Sequence, residues 1–233
     1  MIRHYLYLFF DLDHTLWDFD ANSRQALQEL YQGLGLKERG VDDFDLFHKN
    51  YLAHNDKLWE RYRNGFIKVE ELRWKRMWLT LIDFKIGDEI LARNMGSLFL
   101  DLLPTRKQLF PYTIEILEWL SSRNYKLHLI TNGFEKTQYS KLKNSGIDKY
   151  FGEMITSESS NSLKPHKEIF EYAFQKTGAQ KEKSIMIGDS VEVDIQGAVN
   201  AGIDQVYVNH LHIDPAIRPT YTVFSLKELE QIF

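Results

Sequence analysis

No cysteine occurs anywhere in the chain, which excludes disulfides, thiolate metal sites and thiol nucleophiles together. Also missing is any large excess of one charge. The 29 Lys and Arg nearly balance the 33 Asp and Glu, so no basic field exists to wrap nucleic acid, and a polymer partner is not expected. Long apolar runs are absent as well. The run from Tyr5 to Phe10 falls far short of the roughly 20 residues that cross a bilayer, and carboxylates follow it at once. Neither a membrane anchor nor a signal peptide is expected, and a cytoplasmic address is compatible with these absences. Repeats and low-complexity tracts do not occur, whereas apolar residues at 43% and charged residues at 27% are ordinary globular proportions.

What is present is an alternation of two patterns. Leu6 to Phe10, Lys126 to Ile130, Ser184 to Ile187 and Gln205 to Val208 are short apolar blocks of the kind that form strands buried on both faces, and Glu153-Met154-Ile155 adds a fifth. Between them, Thr113 to Ser122 and Lys167 to Gln175 show helical spacing. The expected fold is α/β, a doubly wound parallel five-stranded (Rossmann-like) sheet whose ligand lies at the carboxyl ends of the strands. Residues 18–105 read differently, with helical periodicity over Ser23 to Gly33, Phe44 to Asn64, Val69 to Leu81 and Asp88 to Leu103 and no strand-like block. They are expected to form an inserted all-helical cap domain, and residues 1–17 with 106–233 the core. Its Leu58, Trp59, Tyr62, Leu72, Trp74 and Trp78 are read mainly as packing residues. Ser225 to Phe233 is expected to close the chain as a helix.

Chemistry-bearing residues gather where the strands end. Asp11 and Asp13 follow the first strand and point the same way along an extended chain. Paired carboxylates repel unless a cation or a reaction uses them, and a hard divalent cation answers that need. The second strand ends in Thr131-Asn132-Gly133, offering a hydroxyl, a carboxamide and approachable amides to phosphate oxygens, although helix capping accounts for the same letters. Lys164 precedes Pro165, which restricts its backbone to extended shapes; an exposed lysine is the plainer alternative. After the fourth strand come Gly188, Asp189 and Asp194, where Asp189 or Ser190 could equally cap a helix. Capping does not explain why acids recur at two strand ends.

Asp11-Leu12-Asp13-His14-Thr15, Thr131, Lys164 and Gly188-Asp189 through Asp194 together resemble the four motifs of the haloacid dehalogenase superfamily, in its branch with a helical cap. Leu58-Trp59, Tyr62, Asn64-Gly65 and Ile130 to Phe134 look like the bacterial house-cleaning pyrimidine 5′-nucleotidases within it. His14 departs from the small or acidic residue common at its position. The resemblance implies a Mg2+-dependent phosphomonoester hydrolase working through an aspartyl-phosphate on Asp11, with Asp13 as acid and then base. The metal would be held by the Asp11 carboxylate, the Asp13 backbone carbonyl and Asp189, with Asp194 bracing them. Thr131 and Lys164 would stabilise phosphoryl oxygens, Asn132 and Gly133 would face the phosphate, and Asn55 and Trp59 of the cap would meet the leaving group. A nucleoside monophosphate is the favoured substrate and a sugar phosphate the alternative, for a monomer or homodimer. A 2-haloacid dehalogenase would need neither Asp13 nor Asp189, and a phosphoaccepting signalling protein would have no use for Asp13.

Overall fold

The computed structural model describes residues 5–233. Strand β1 (Tyr7–Phe10) is central, with β2 (Lys126–Thr131) and β4 (Ser184–Gly188) beside it. Outside β2 lies β3 (Met154–Thr156), and outside β4 lie β5 (Asp204–Val208) and β6 (Tyr221–Val223). Every pairing is parallel. Helices α1 (Phe19–Gly33), α2 (Phe44–Arg63), α3 (Val69–Asp83) and α4 (Glu89–Leu102) precede α5 (Thr113–Ser122) and α6 (Glu135–Ser145). The single turn α7 (Ser157–Ser160), α8 (Lys167–Thr177) and α9 (Gln196–Ala201) follow.

The central strands are apolar throughout because both faces of the sheet are covered. Phe9, Ile130 and Met186 pack with Ile169 and Phe170 of α8 and Ala198 of α9 in one cluster. Leu8, Phe10, Ile185 and Ile187 alternate onto the opposite face and are equally buried. Phe10 registers with Leu129 on one side and Ile187 on the other, so β2 runs two residues and β4 one residue past the end of β1. After β1 the chain builds outward through β2 and β3, then returns to place β4 on the other side of β1. Such a reversal opens a crevice at the carboxyl ends of the strands.

Among the described residues six strands form where five are expected. β6 is three residues long with one buried side chain, and it pairs with β5 at the sheet edge, so it carries almost no apolar signal. The expected closing helix is instead a 3-10 segment, Leu226–Gln231, whose buried Leu226 and Leu229 lie three apart, a spacing that suits three residues per turn.

Two compact units result: the residues through Phe19 with Lys107–Phe233, and Asp20–Arg106. The second is entirely helical. Asp43 and Asp88 start α2 and α4 by accepting from Leu46 N at 3.0 Å and Leu91 N at 2.9 Å, which satisfies N–H groups the helix itself cannot. Phe47, Tyr51, Leu72, Met77, Leu81 and Phe99 fill its core. A Cβ on Gly96 would come within 2.8 Å of the Arg73 carbonyl, so glycine is what lets α4 lie against α3. Among the described residues no helix is long and apolar enough to cross a membrane.

Candidate active site

Asp11 is the first residue past β1, and its N–H still donates to the Ile187 carbonyl at 2.9 Å, which fixes it at the strand ends. Beyond it the chain turns sharply. Leu16 and Trp17 both donate to the Leu12 carbonyl, and His14 takes a left-handed φ of 62°, a conformation in which histidine is less unfavourable than branched residues. The turn buries Thr15, whose hydroxyl donates to Asp189 Oδ1 at 2.8 Å and so ties the loop after β1 to the loop after β4.

Lys164 reaches the same place from the loop before α8. It is 1% exposed, and its ammonium donates to Asp11 Oδ1 at 2.6 Å, the Ile130 carbonyl at 2.6 Å and Asp194 Oδ1 at 2.7 Å. All three N–H groups are therefore committed within the protein. Its backbone is gripped by Asn132, which accepts from Lys164 N at 2.8 Å and donates to Lys164 O at 3.0 Å. The Asn132 carboxamide thus holds the lysine backbone. Gly133 has a similar local task, since its N–H donates to Thr131 Oγ1 at 3.1 Å.

Past β4, a wide π-type turn over Val191–Ile195 folds Asp194 back against Gly188. Asp194 Oδ2 accepts from the Ser190 N–H at 3.0 Å, and neither Asp189 nor Ser190 caps a helix with its side chain. Asp11, Asp189 and Asp194 bring carboxylate oxygens within 4.8 Å of one another. Burial pushes the Asp11 carboxyl up to about 8, Asp194 and Asp189 adding to the rise while Lys164 opposes it. Asp189 is likewise raised to about 8 by burial and by Asp194, against the Thr15 hydrogen bond and Lys164. Burial opposes the charge on Lys164, but Asp11 and Asp194 outweigh it and the lysine is held charged, its pKa raised. Three carboxylates facing one ammonium leave two negative charges uncompensated when all are ionised. An all-oxygen donor set with that deficit fits a hard divalent cation.

Asp13 faces elsewhere. Its Oδ1 accepts from Lys141 Nζ at 2.6 Å and its Oδ2 from Gln138 Nε2 at 2.9 Å, both from α6. Gln138 Nε2 also donates to Thr131 Oγ1 at 2.7 Å. Neither α6 residue is anticipated from the sequence. The available signal is their spacing of three, which puts two polar side chains on one face of a helix that starts at a strand end. Asn55 and Trp59 belong to the helical unit. The Asn55 carboxamide, expected to meet a substrate, is buried and taken up by Arg76 Nη1 at 2.9 Å and Asp56 Oδ1 at 3.2 Å. Trp59 is half-buried, with its ring edge-on to Tyr62 at 5.8 Å.

Residues 6–202 match the family model described as haloacid dehalogenase-like hydrolase. The chain belongs to that family. Among relatives of this hydrolase is the pyrimidine 5′-nucleotidase PynA of Streptococcus pneumoniae, 36% identical over 97% of this chain and 93% of that one. The pyrimidine 5′-nucleotidase YjjG of Escherichia coli is 32% identical over 97% and 96%. A crystal structure of the HAD-hydrolase YfnB of Bacillus subtilis, bound to magnesium, superposes with a TM-score of 0.88 at 28% identity, covering 98% of each chain.

Proposed function

We propose that this hydrolase cleaves a small phosphomonoester by passing the phosphoryl group through Asp11, with magnesium as its metal and a pyrimidine nucleoside 5′-monophosphate as its favoured substrate. The observation that carries the reading is the separation of two carboxylates only two residues apart. Asp11 lies among Asp189, Asp194 and Lys164, while Asp13 is held apart by N–H donors of α6. Two environments for two carboxyl groups support two roles.

In the first half-reaction an Asp11 oxygen attacks phosphorus in line, the bond to the leaving oxygen breaks, and Asp13 gives that oxygen a proton. In the second, Asp13 takes a proton from the water that attacks the acyl-phosphate, so phosphate leaves and both carboxyl groups are restored. Thr131 Oγ1 accepts from Gly133 N and Gln138 Nε2, which leaves its hydroxyl hydrogen for a phosphoryl oxygen. Lys164 contributes fixed positive charge beside the nucleophile. Magnesium, held by the Asp11 and Asp189 carboxylates and the Asp13 carbonyl with Asp194 bracing them, would offset phosphate charge. A 2-haloacid dehalogenase has no leaving group for Asp13 to protonate, and a signalling receiver would lose its phosphoryl group to that same residue.

The two nucleotidase relatives support the substrate. Phosphate release from a panel of nucleoside and sugar monophosphates, with magnesium, with chelator and with Asp11→Asn, tests the whole. Release should need magnesium, be fastest with pyrimidine monophosphates and fall by more than about 10³-fold in the variant. Release that survives Asp11→Asn refutes the mechanism, and a sugar phosphate as the best substrate refutes the nucleotide preference.

A further inference from the structure

Gln138 and Lys141 are two buried polar residues that the four motifs leave without a task. Gln138 is wholly buried and Lys141 is 3% exposed, whereas the Asp13 side chain they hold is 23% exposed. One turn of α6 thus supplies a donor to each Asp13 oxygen, at 2.6 and 2.9 Å. It is the amide nitrogen of Gln138, a donor, and not its oxygen that faces Asp13. That nitrogen also donates to Thr131 Oγ1, so Gln138 sets the distance between the two groups.

Stability alone does not account for these residues. The other end of the Gln138 amide, Oε1, is buried with no partner, which is a net cost that Leu or Met at the same place would avoid. A buried ammonium is similarly a poor choice for packing, even paired and with its Nζ 4.4 Å from the centre of the Trp17 ring. Gly133 makes the arrangement sterically feasible, because a Cβ there would lie 2.5 Å from Gln138 Cδ.

We infer that Gln138 and Lys141 are positioning residues that aim the Asp13 carboxyl group at the leaving oxygen and keep it in register with the Thr131 hydroxyl. The inference rests on the phosphatase reading above. Aim matters most where a proton must be delivered. The 5′-oxygen of a nucleoside leaves as a poor alkoxide and needs that proton, whereas 4-nitrophenolate leaves readily without it.

Steady-state and stopped-flow kinetics of Lys141→Met and Gln138→Leu with a pyrimidine 5′-monophosphate and with 4-nitrophenyl phosphate provide the test. For the nucleotide, kcat/KM should drop by about 10²-fold, the lower end of what a placed acid supplies. For the aryl phosphate it should change less than about fivefold, and a burst of nitrophenolate should precede slow turnover, because the water-attack step still needs Asp13 aimed. Combining Lys141→Met with Asp13→Asn should add little to Asp13→Asn alone. Melting curves identify any variant that fails to fold, and Lys141→Arg, which keeps a donor, should recover part of the nucleotide rate. Equal losses on both phosphates in a folded variant, or no loss on the nucleotide, overturn the positioning role. No phosphate release from either substrate by the unsubstituted protein with magnesium overturns the phosphatase reading beneath it, so the two failures are distinguishable.

Discussion

Gly188→Ala tests how the second acidic cluster is built. No left-handed backbone requires glycine there, so any effect must come from space. An added Cβ would lie 2.6 Å from the Asp194 Cβ and nearer still to its carboxyl group, against an ordinary contact of about 3.5 Å. Asp194 must then retreat by about 1 Å. It is not free to do so, since it accepts from the Lys164 ammonium at 2.7 Å and the Ser190 N–H at 3.0 Å. Overpacking of this kind costs about 1–3 kcal/mol, and weakening a hydrogen bond to a charged group adds about 1.5–3 kcal/mol. The total is roughly 3–6 kcal/mol, and at about 2–4 °C per kcal/mol the melting temperature falls by roughly 6–24 °C.

Thermal and urea unfolding measure that loss, with Gly87→Ala as the control. A Cβ at Gly87 meets nothing within 4 Å, and the substitution should be neutral or stabilise by up to about 1 kcal/mol. Below its melting range Gly188→Ala should also release phosphate at least about 10²-fold more slowly, because displacing Asp194 disturbs the lysine that charges the site. A variant that melts within about 2 °C of the parent would refute the packing account. One that melts as expected but keeps its rate would refute the link from Asp194 through Lys164 to catalysis.

Asp189→Asn keeps the acceptor for Thr15 but removes one of the crowded charges, so in chelator it should be more stable than the parent by about 1–3 kcal/mol, and it should lose any magnesium-dependent rise in melting temperature. His128 is held down to about 4 by burial, with Lys126 adding, and its Nδ1 accepts from Glu153 N. The unfolded chain therefore binds more protons between about 4 and 6.5, so stability is full above 6.5 and falls by up to about 3 kcal/mol as pH drops to 4. His128→Gln should flatten that part of the urea-unfolding profile, and an unchanged slope would refute the assignment. Gly133→Ala should push Gln138 away from Asp13 and Thr131 and slow nucleotide cleavage by about 10–10²-fold, read as kcat/KM.

The parts of this molecule that are legible in its sequence are those where one local property decides the outcome. β1 and β4 carry unbroken apolar blocks because a parallel strand covered on both faces has no polar positions until it ends, and the acids then appear abruptly at Asp11 and Asp189. Helical periodicity marks α2 and α4 just as directly. Where burial is set by a distant partner, the same signals mislead. Lys141 sits 128 residues from Asp13, and a Gln and a Lys three apart on a polar helix look like a solvated face until the loop after β1 is laid across them. β6 escapes notice for a related reason, since a short edge strand takes its identity from the neighbour it pairs with.

Residue type alone also leaves open how many of a group's hydrogen bonds are already spent, and at this site that count decides the roles. Lys164 and Thr131 are equally plausible phosphate contacts as letters. The lysine, however, has three donors and uses all of them on Asp11, Ile130 and Asp194, while the threonine oxygen takes two N–H bonds and keeps its hydrogen. The proposed mechanism therefore gives direct donation to Thr131 and electrostatic support to Lys164. Thr131→Ser and Thr131→Val separate these parts: the serine variant should keep most of the parent's kcat/KM, and the valine variant should lose about 10²-fold, as removal of one oxyanion donor does. Comparable rates in the valine variant would mean that the hydroxyl hydrogen is not used, and that the count assigns the wrong donor.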